Sequence, residues 1–255
     1  MTTTLQCPQC GGDNPLPSGA RLVACQFCDA ALFVDRSGLV SHYRLPRLLD
    51  RGKADGALRR WMAGNHTVKD LDSKATGVTL TPALFPVWMF RVRTSEGEVV
   101  HAEPAAATPE PALADLRVPA GQLQPWSAGA AEEGVETTAA TVPLETARDW
   151  HHQQAGAGDP GRIVETALVH VPLWRASYVF GGRTYTALVE ASTGDVFASI
   201  FPEKAEAPFY LVAALGLILF TVEGLAIFNV FWKLVAYAFT AVPLVGLAWW
   251  VARKV

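Results

Sequence analysis

An α+β fold in three parts is what this sequence predicts, and three observations carry the prediction. Four cysteines stand in two C-x-x-C pairs within residues 7–28. Two segments of the middle repeat a Pro-x-Trp pattern that opens a hairpin. From Pro208 to Val251, forty-four residues run with only Glu223 and Lys233 as charges. The parts divide at 1–40, 41–205 and 206–255.

Cys7 with Cys10, and Cys25 with Cys28, each leave two residues between the sulfurs, so both sulfurs of a tight turn can face one ion. Two such knuckles brought together by a hairpin complete a tetrahedral structural site. Residues 1–40 therefore read as a zinc ribbon with Zn2+ as its cofactor, iron or a redox dithiol being the alternatives. Fourteen residues separate the pairs, room for two strands and a turn, and Gly11, Gly12, Pro15, Pro17 and Gly19 supply the turn chemistry. The opening MTTTLQCPQC has neither a basic n-region nor an apolar h-region, so no secretory signal is expected, and reduced cysteines favour metal over disulfides. Four thiolates close the coordination sphere, and metal binding contributes on the order of 10 kcal/mol to folding so short a segment. Such a site fixes a shape rather than catalysing.

In the middle part, residues 42–64 read as a turn at Pro46 followed by a helix with Leu58, Trp61 and Met62 as its apolar stripe. Arg44, Arg47, Arg51, Lys53, Arg59 and Arg60 give that segment a basic exterior, suited to anionic headgroups or an acidic partner and also to plain solvent. Phe85–Phe90 and Val171–Ala176 each open a strand with Pro-x-Trp. Each strand runs into a turn at Glu96-Gly97 or Gly181-Gly182 and returns as a second strand. A third strand is expected at Val196–Phe201. The hairpin units are expected to pack on the helix around Trp61 through Trp88 and Trp174. Residues 102–143, rich in Ala, Pro, Glu and Thr, look like linker by composition. A second helix is expected at Leu144–Gln154, carrying Trp150 and the surface pair His151-His152.

The C-terminal run is too long for one membrane span and suits two, Phe209–Phe228 and Phe231–Val251, joined near Asn229. Lys204 before the first helix and Arg253-Lys254 after the second outweigh Lys233 in the turn, which places both ends in the cytoplasm and the chain in the cytoplasmic membrane. Glu223 inside the first span is a functional candidate, or a partner of Lys233 at the outer interface.

Signals for catalysis are missing from the motifs: no G-x-S-x-G, P-loop, H-E-x-x-H or G-x-G-x-x-G after a strand occurs, and no small-molecule substrate is evident. Residues 1–74 carry ten basic against seven acidic side chains, whereas 95–165 carry three against twelve. That acidic middle argues against a nucleic-acid tract through the whole chain, although the ribbon and Arg44–Arg60 keep a nucleic-acid module as one alternative, and a membrane enzyme or transporter subunit whose site includes Glu223 or the histidines is the other.

Taken together, the C-P-x-C…C-x-x-C ribbon, A-L-R-R-W-M, F-P-V-W-M-F and the run from Val171 to Val196 resemble bacterial zinc-ribbon membrane proteins that end in transmembrane helices. The T-G-D-V at Thr193–Val196 is also similar to the last hairpin of PepSY domains. Members of the ribbon family often carry the label of a replication-restart helicase, which contains a similar ribbon. With no Walker motif here, that label does not transfer. Some relatives sit beside SPFH (flotillin-like) or phage-shock-type membrane proteins. The resemblance thus implies an adaptor that recruits or anchors a membrane-organising partner, and it implies no catalytic residue.

Overall fold

The computed structural model describes residues 3–35, 38–108, 111, 113, 116–119, 123–127, 134–155, 161–204 and 207–254. The chain is α+β, and its described part divides into two units, residues 1–60 with 75–201, and residues 61–74 with 202–255.

In the first unit, β1 (Thr3–Gln6) and β2 (Asp13–Leu16) form a small antiparallel hairpin. After it come β3 (Leu22–Ala24), β4 (Ala31–Asp35) and β5 (Gly38–Arg44), an antiparallel meander whose last strand runs on into a larger sheet. The next elements in chain order are α1 (Arg51–Met62), α2 (Leu71–Lys74), which belongs to the second unit, β6 (Thr76–Thr94) and β7 (Gly97–Pro104). Two short strands, β8 (Gln124–Pro125) and β9 (Glu136–Thr137), precede α3 (Leu144–Ala155). The sheet is completed by β10 (Arg162–Phe180), β11 (Arg183–Glu190) and β12 (Val196–Phe197). The third strand is thus shorter than the sequence suggests.

Both expected hairpins form, with turns at Thr94–Gly97 and Phe180–Arg183. Their opening strands are longer than Pro-x-Trp alone indicates: β6 and β10 are nineteen residues each and pair antiparallel along most of that length. Leu84–Phe90 and Ala167–Trp174 are continuously buried because both faces of this central pair are covered. On one face Phe85, Val87, Met89, Val169 and Val171 pack with Leu45, Leu113, Leu116 and Val118. On the other, Trp88, Phe90 and Leu168 meet Phe33, Val40, Leu144 and Ala147. Residues 102–143, linker by composition, therefore supply core side chains, including Ala105 and Ala140; positions 109–110, 112, 114–115, 120–122 and 128–133 of that stretch lie outside the described residues.

The repeat is a duplication of strand, helix and hairpin. β6 and β7 superpose in sequence on β10 and β11 at a constant offset of 86 (162 − 76 and 183 − 97). α1 maps to α3 at an offset of 93 (144 − 51). At that same offset β5 maps to β9, and each pairs parallel with the long strand of the other copy: Tyr43–Arg44 beside Val169–His170, Glu136–Thr137 beside Ala83–Leu84. Phe85 and Val171, equivalent residues, face each other, so the local twofold passes between them.

Backbone bonds repeat with it. The N–H groups of Leu48 and Leu49 donate to the Ala191 carbonyl at 2.9 and 2.8 Å, and Ala191 N–H to Pro172. Thr141 and Val142 donate to Ala105 at 2.8 and 2.9 Å, and Ala105 N–H to Pro86. The two prolines stand where the outer edge of each long strand changes partner, from β9 to β7 and from β5 to β11, where a missing N–H costs no ladder bond. Trp88 Nε1 donates to Val142 O at 2.9 Å and Trp174 Nε1 to Leu49 O at 3.0 Å, so each tryptophan anchors the segment entering the other copy's helix. Trp61, expected between them, falls in the second unit.

That second unit contains α2 and the C-terminal helices α4 (Ala207–Ala226) and α5 (Val230–Lys254). The helices pack on each other, with the Phe220 and Tyr237 rings 5.4 Å apart and edge-on. At Gly224 the Tyr237 hydroxyl lies 2.7 Å from where a Cβ would stand, so a larger residue there would displace the tyrosine tip. Residues Val230–Val251 form one span long and apolar enough to cross a bilayer, and Tyr210–Ala226 is a shorter apolar helix.

Candidate metal centre

The first knuckle closes β1 and opens toward β2; the second lies between β3 and β4. They are built alike. Cys7 N–H donates to Gly12 O at 2.9 Å and Gly11 N–H to Cys7 O at 2.9 Å. Eighteen residues later Cys25 N–H donates to Ala30 O at 2.9 Å and Asp29 N–H to Cys25 O at 3.0 Å. Each turn needs a left-handed residue at the fourth position after its first cysteine, Gly11 at φ 76° and Asp29 at φ 55°.

These turns gather all four Sγ atoms within 4.8 Å of one another. Cys7 Sγ lies 3.9 Å from Cys28 Sγ, and Cys10 Sγ 3.6 Å from Cys25 Sγ. A tetrahedral ion with sulfurs at about 2.3 Å has edges of about 3.8 Å, so these two separations match it and the set as a whole is compact enough to close on a metal. All four thiols are free of disulfides; Cys7 and Cys25 are buried, Cys10 and Cys28 exposed.

Asn14, which the sequence reading passed over, ties the halves together. Its buried side chain donates to Cys25 Sγ at 3.5 Å and to Gly12 O at 2.9 Å, and accepts the Gln26 N–H at 2.9 Å. No spacing rule marks it; an asparagine on a short strand looks like any turn residue. Burial opposes ionisation of Cys25, but the N–H groups of Phe27 and Cys28, the Asn14 amide and the Cys10 thiol hold it down at about 6. At Cys28 the Ala30 N–H favours the thiolate, while burial and the surrounding thiols push it up to about 12. The Cys25 thiolate therefore forms readily, while burial and the neighbouring thiols hold Cys10 and Cys28 toward the protonated thiol, a balance that a bound cation would tip to thiolate.

Beside the first knuckle a hollow of about 560 Å³ is lined by Pro8, Gln9, Ser41, Tyr43, Arg148 and Glu165, among others. On the second knuckle Phe27 is 67% exposed.

The basic residues do not form one face. Arg44 lies on β5, and the Arg47 guanidinium covers the Trp174 ring at 5.2 Å. Only Arg51, Lys53, Arg59 and Arg60 are on α1, with Arg59 paired to Asp55 at 2.8 Å. Glu223 accepts a hydrogen bond from Thr240 Oγ1, while Lys233 Nζ donates to the Gly224 carbonyl at 2.7 Å instead of pairing with the carboxylate.

Five of the six histidines gather in two places, which their scatter in sequence conceals. His42 Nε2 and His170 Nδ1 are 3.0 Å apart in the interior, with the Trp126 ring stacked 4.8 Å from His42. His101 meets His151 where β7 packs on α3, with His152 beside His151, and His151, expected on the surface, is buried.

Comparison with protein-family models, curated proteins and solved structures returns no match.

Proposed function

We propose that this protein is a membrane-anchored zinc-ribbon adaptor, which recruits a protein partner at the cytoplasmic face of the membrane. The observation that carries the reading is the four-sulfur cluster: its geometry uses every tetrahedral position for protein, so the ion's work is to hold two knuckles in a fixed shape. Thiolate-only ligation selects zinc among the abundant divalent ions, with iron as the competitor.

The surface that shape presents suits docking. Phe27 on one knuckle and the hollow beside Pro8 and Gln9 at the other offer an apolar contact and a polar-rimmed recess within one unit. Helices α4 and α5 form the anchor as a transmembrane hairpin, and Lys204 with Arg253 and Lys254 keeps both ends cytoplasmic. By family resemblance the partner is an SPFH-type, flotillin-like membrane protein.

Full-length tagged protein purified in mild detergent tests this. The reading expects a stoichiometric SPFH-type partner with the wild-type chain and its loss on Cys7→Ser with Cys10→Ser, membrane insertion being retained. Equal capture by both forms removes the ribbon from recruitment.

A further inference from the structure

The large sheet opens between two of its strands. β5 and β10 run parallel and pair from Ser41 beside Ala167 to Arg44 beside His170. Continued in register, the ladder would next join Val40 to Thr166, Leu39 to Glu165 and Gly38 to Val164, and these rungs are not formed. Both strands are intact there, β5 pairing with β4 from Gly38 and β10 with β6 from Arg162. Each is drawn toward its other neighbour. β5 follows the ribbon meander, and β10 carries a bulge against β6 between Ile163 and Glu165, which bends the strand. The hollow of about 560 Å³ takes the place of the missing rungs, with Gly38, Leu39, Val40 and Ser41 along one wall and Val164, Glu165 and Thr166 along the other.

The walls of this cleft present pairing groups. Val34 donates its N–H to Arg21 O, on the β3 side, so its β5 partner Leu39 turns its own N–H and carbonyl away from β4 and into the cleft. Opposite, His170 O accepts from Leu45 N–H, so alternate residues of β10, Thr166 among them, face β5. Open strand edges are templates for another strand, and here two of them border one recess. Val164, at the bulge, is 38% exposed and adds an apolar contact. Pro8 and Gln9 also line the hollow, and they lie between Cys7 and Cys10, so a metal in the ribbon fixes that wall.

α3 contributes Leu144 and Arg148, one turn apart. Arg148 is partly buried and makes no ion pair or hydrogen bond among the described residues. Glu165 is taken by Arg91 at 2.9 Å, which leaves Arg148 as the uncommitted charge of the lining. At the offset of 93 the other copy has Asp55 (148 − 93), paired with Arg59 at 2.8 Å, so the fold itself does not call for an unpaired arginine here. A guanidinium partly withdrawn from water matches a carboxylate through two parallel bonds.

We propose that the cleft between β5 and β10 takes an extended segment of a partner protein as an added strand, with a carboxylate side chain of that segment on Arg148. The nature of the occupant rests on the adaptor reading. Main-chain bonds along the walls supply affinity, and Arg148 supplies the choice of sequence.

The test selects phage-displayed random dodecapeptides on full-length, zinc-loaded protein in detergent and resynthesises the strongest binder with a fluorophore. The selected peptides are expected to be rich in β-branched residues and to share an Asp or Glu. Arg148→Gln should weaken the labelled peptide at least about tenfold at an unchanged melting temperature. Replacing the shared acid by its amide should cost little more in that variant, the non-additivity of a direct pair. N-methylation of a central peptide amide should abolish binding, because a strand uses its N–H groups. Arg148→Asp, the residue of the other copy, should turn the selection toward Lys and Arg. A selection without binders, or binders indifferent to Arg148 and to N-methylation, overturns the cleft. A partner captured equally by the wild-type chain and by Arg148→Asp also overturns it, while leaving the adaptor in place. Peptides that meet these expectations support the cleft even where no cellular partner is captured, so the two readings fail separately.

Discussion

The two strand–helix–hairpin copies share their backbone and part company in their side chains. Their common bonds are those of the crossing: Trp88 to Val142 and Trp174 to Leu49, and paired N–H groups onto Ala105 and Ala191. Neither copy could bury both faces of its long strand alone. Each uses the other's helix-entry segment, so these contacts make one sheet of two repeats. Where side chains differ, the first copy has acquired additions. Its β5 continues back into the ribbon while β9 is two residues long, and its hairpin carries His101 and Glu103 where the other has Ala187 and Val189. Shared positions thus report folding, and divergent ones are positions the common fold leaves open.

Metal removal breaks the comparison most severely. A chelator that strips the ribbon withdraws on the order of 10 kcal/mol from β1–β4, so amide hydrogen exchange should rise throughout residues 3–35 and at Gly38–Ser41 of β5, yet stay slow at Trp88 and Trp174. Equal loss of protection in both hairpins would show that ribbon and duplicated sheet fold as one cooperative unit.

Next in size are the tryptophans. Trp88→Ala should cost about 3–5 kcal/mol in denaturant unfolding of the detergent-solubilised chain. Trp174→Ala should cost less, because its ring keeps one side toward the Arg47 guanidinium and is not fully buried. Phenylalanine at either position should cost a similar amount, about 1 kcal/mol, since each indole makes one bond to a carbonyl.

Acid separates the copies at another pair of positions. His170 and His42 stand where the other copy has Leu84 and Val135. Burial holds His42 at about 3, with His170 adding to the effect, and burial holds His170 at about 4 against the opposing Thr138 carbonyl. Between these values and the ordinary imidazole value near 6.5, the unfolded chain binds protons that the folded chain refuses, so stability falls as pH drops through that window. Glu190 acts in the opposite sense: burial, with Asp195 adding and Thr193 opposing, raises it to about 7, so its contribution is lost as pH rises from about 4.5 to 7. Two histidines outweigh one carboxyl. Unfolding between about pH 6.5 and 4.5 should show a loss of the order of 3 kcal/mol. His170→Leu, borrowing the residue of the other copy, should flatten the profile; a wild-type profile already flat there would contradict the buried-neutral pair.

The smallest effect tests the same logic inside the ribbon. Gly11 and Asp29 hold equivalent left-handed positions in the two knuckles. Asp29→Gly should be neutral or stabilise by up to about 1 kcal/mol, and Gly11→Ala should destabilise by about 1 kcal/mol, read from the chelator concentration that releases the metal.

Local chemistry made the cysteine knuckles, both hairpins and α1 legible in the sequence: paired cysteines, a Gly turn after a Pro-x-Trp strand, and a helical stripe all act within a few residues. Non-local pairing hid the rest. Nothing near Thr76 or Arg162 announces that the strand begins there, because the pairing partners, Val179 and Arg93, lie far along the chain in the other copy. Residues 102–143 resemble linker since Ala and Pro are small and scattered, yet Ala105 sits at the sheet crossing and Leu113 and Leu116 fill the core. The histidine groups were invisible for the same reason: His42 and His170, or His101 and His151, meet only through the sheet.

The most direct measurement is the zinc content of full-length protein taken from carbonate-washed membranes, compared with Cys7→Ser plus Cys10→Ser. The account predicts that both forms stay in the washed membranes and that the cysteine variant carries one zinc per chain fewer than the wild type. A chain that washes off, or a zinc content indifferent to the cysteines, would contradict a metal-built ribbon held at a membrane.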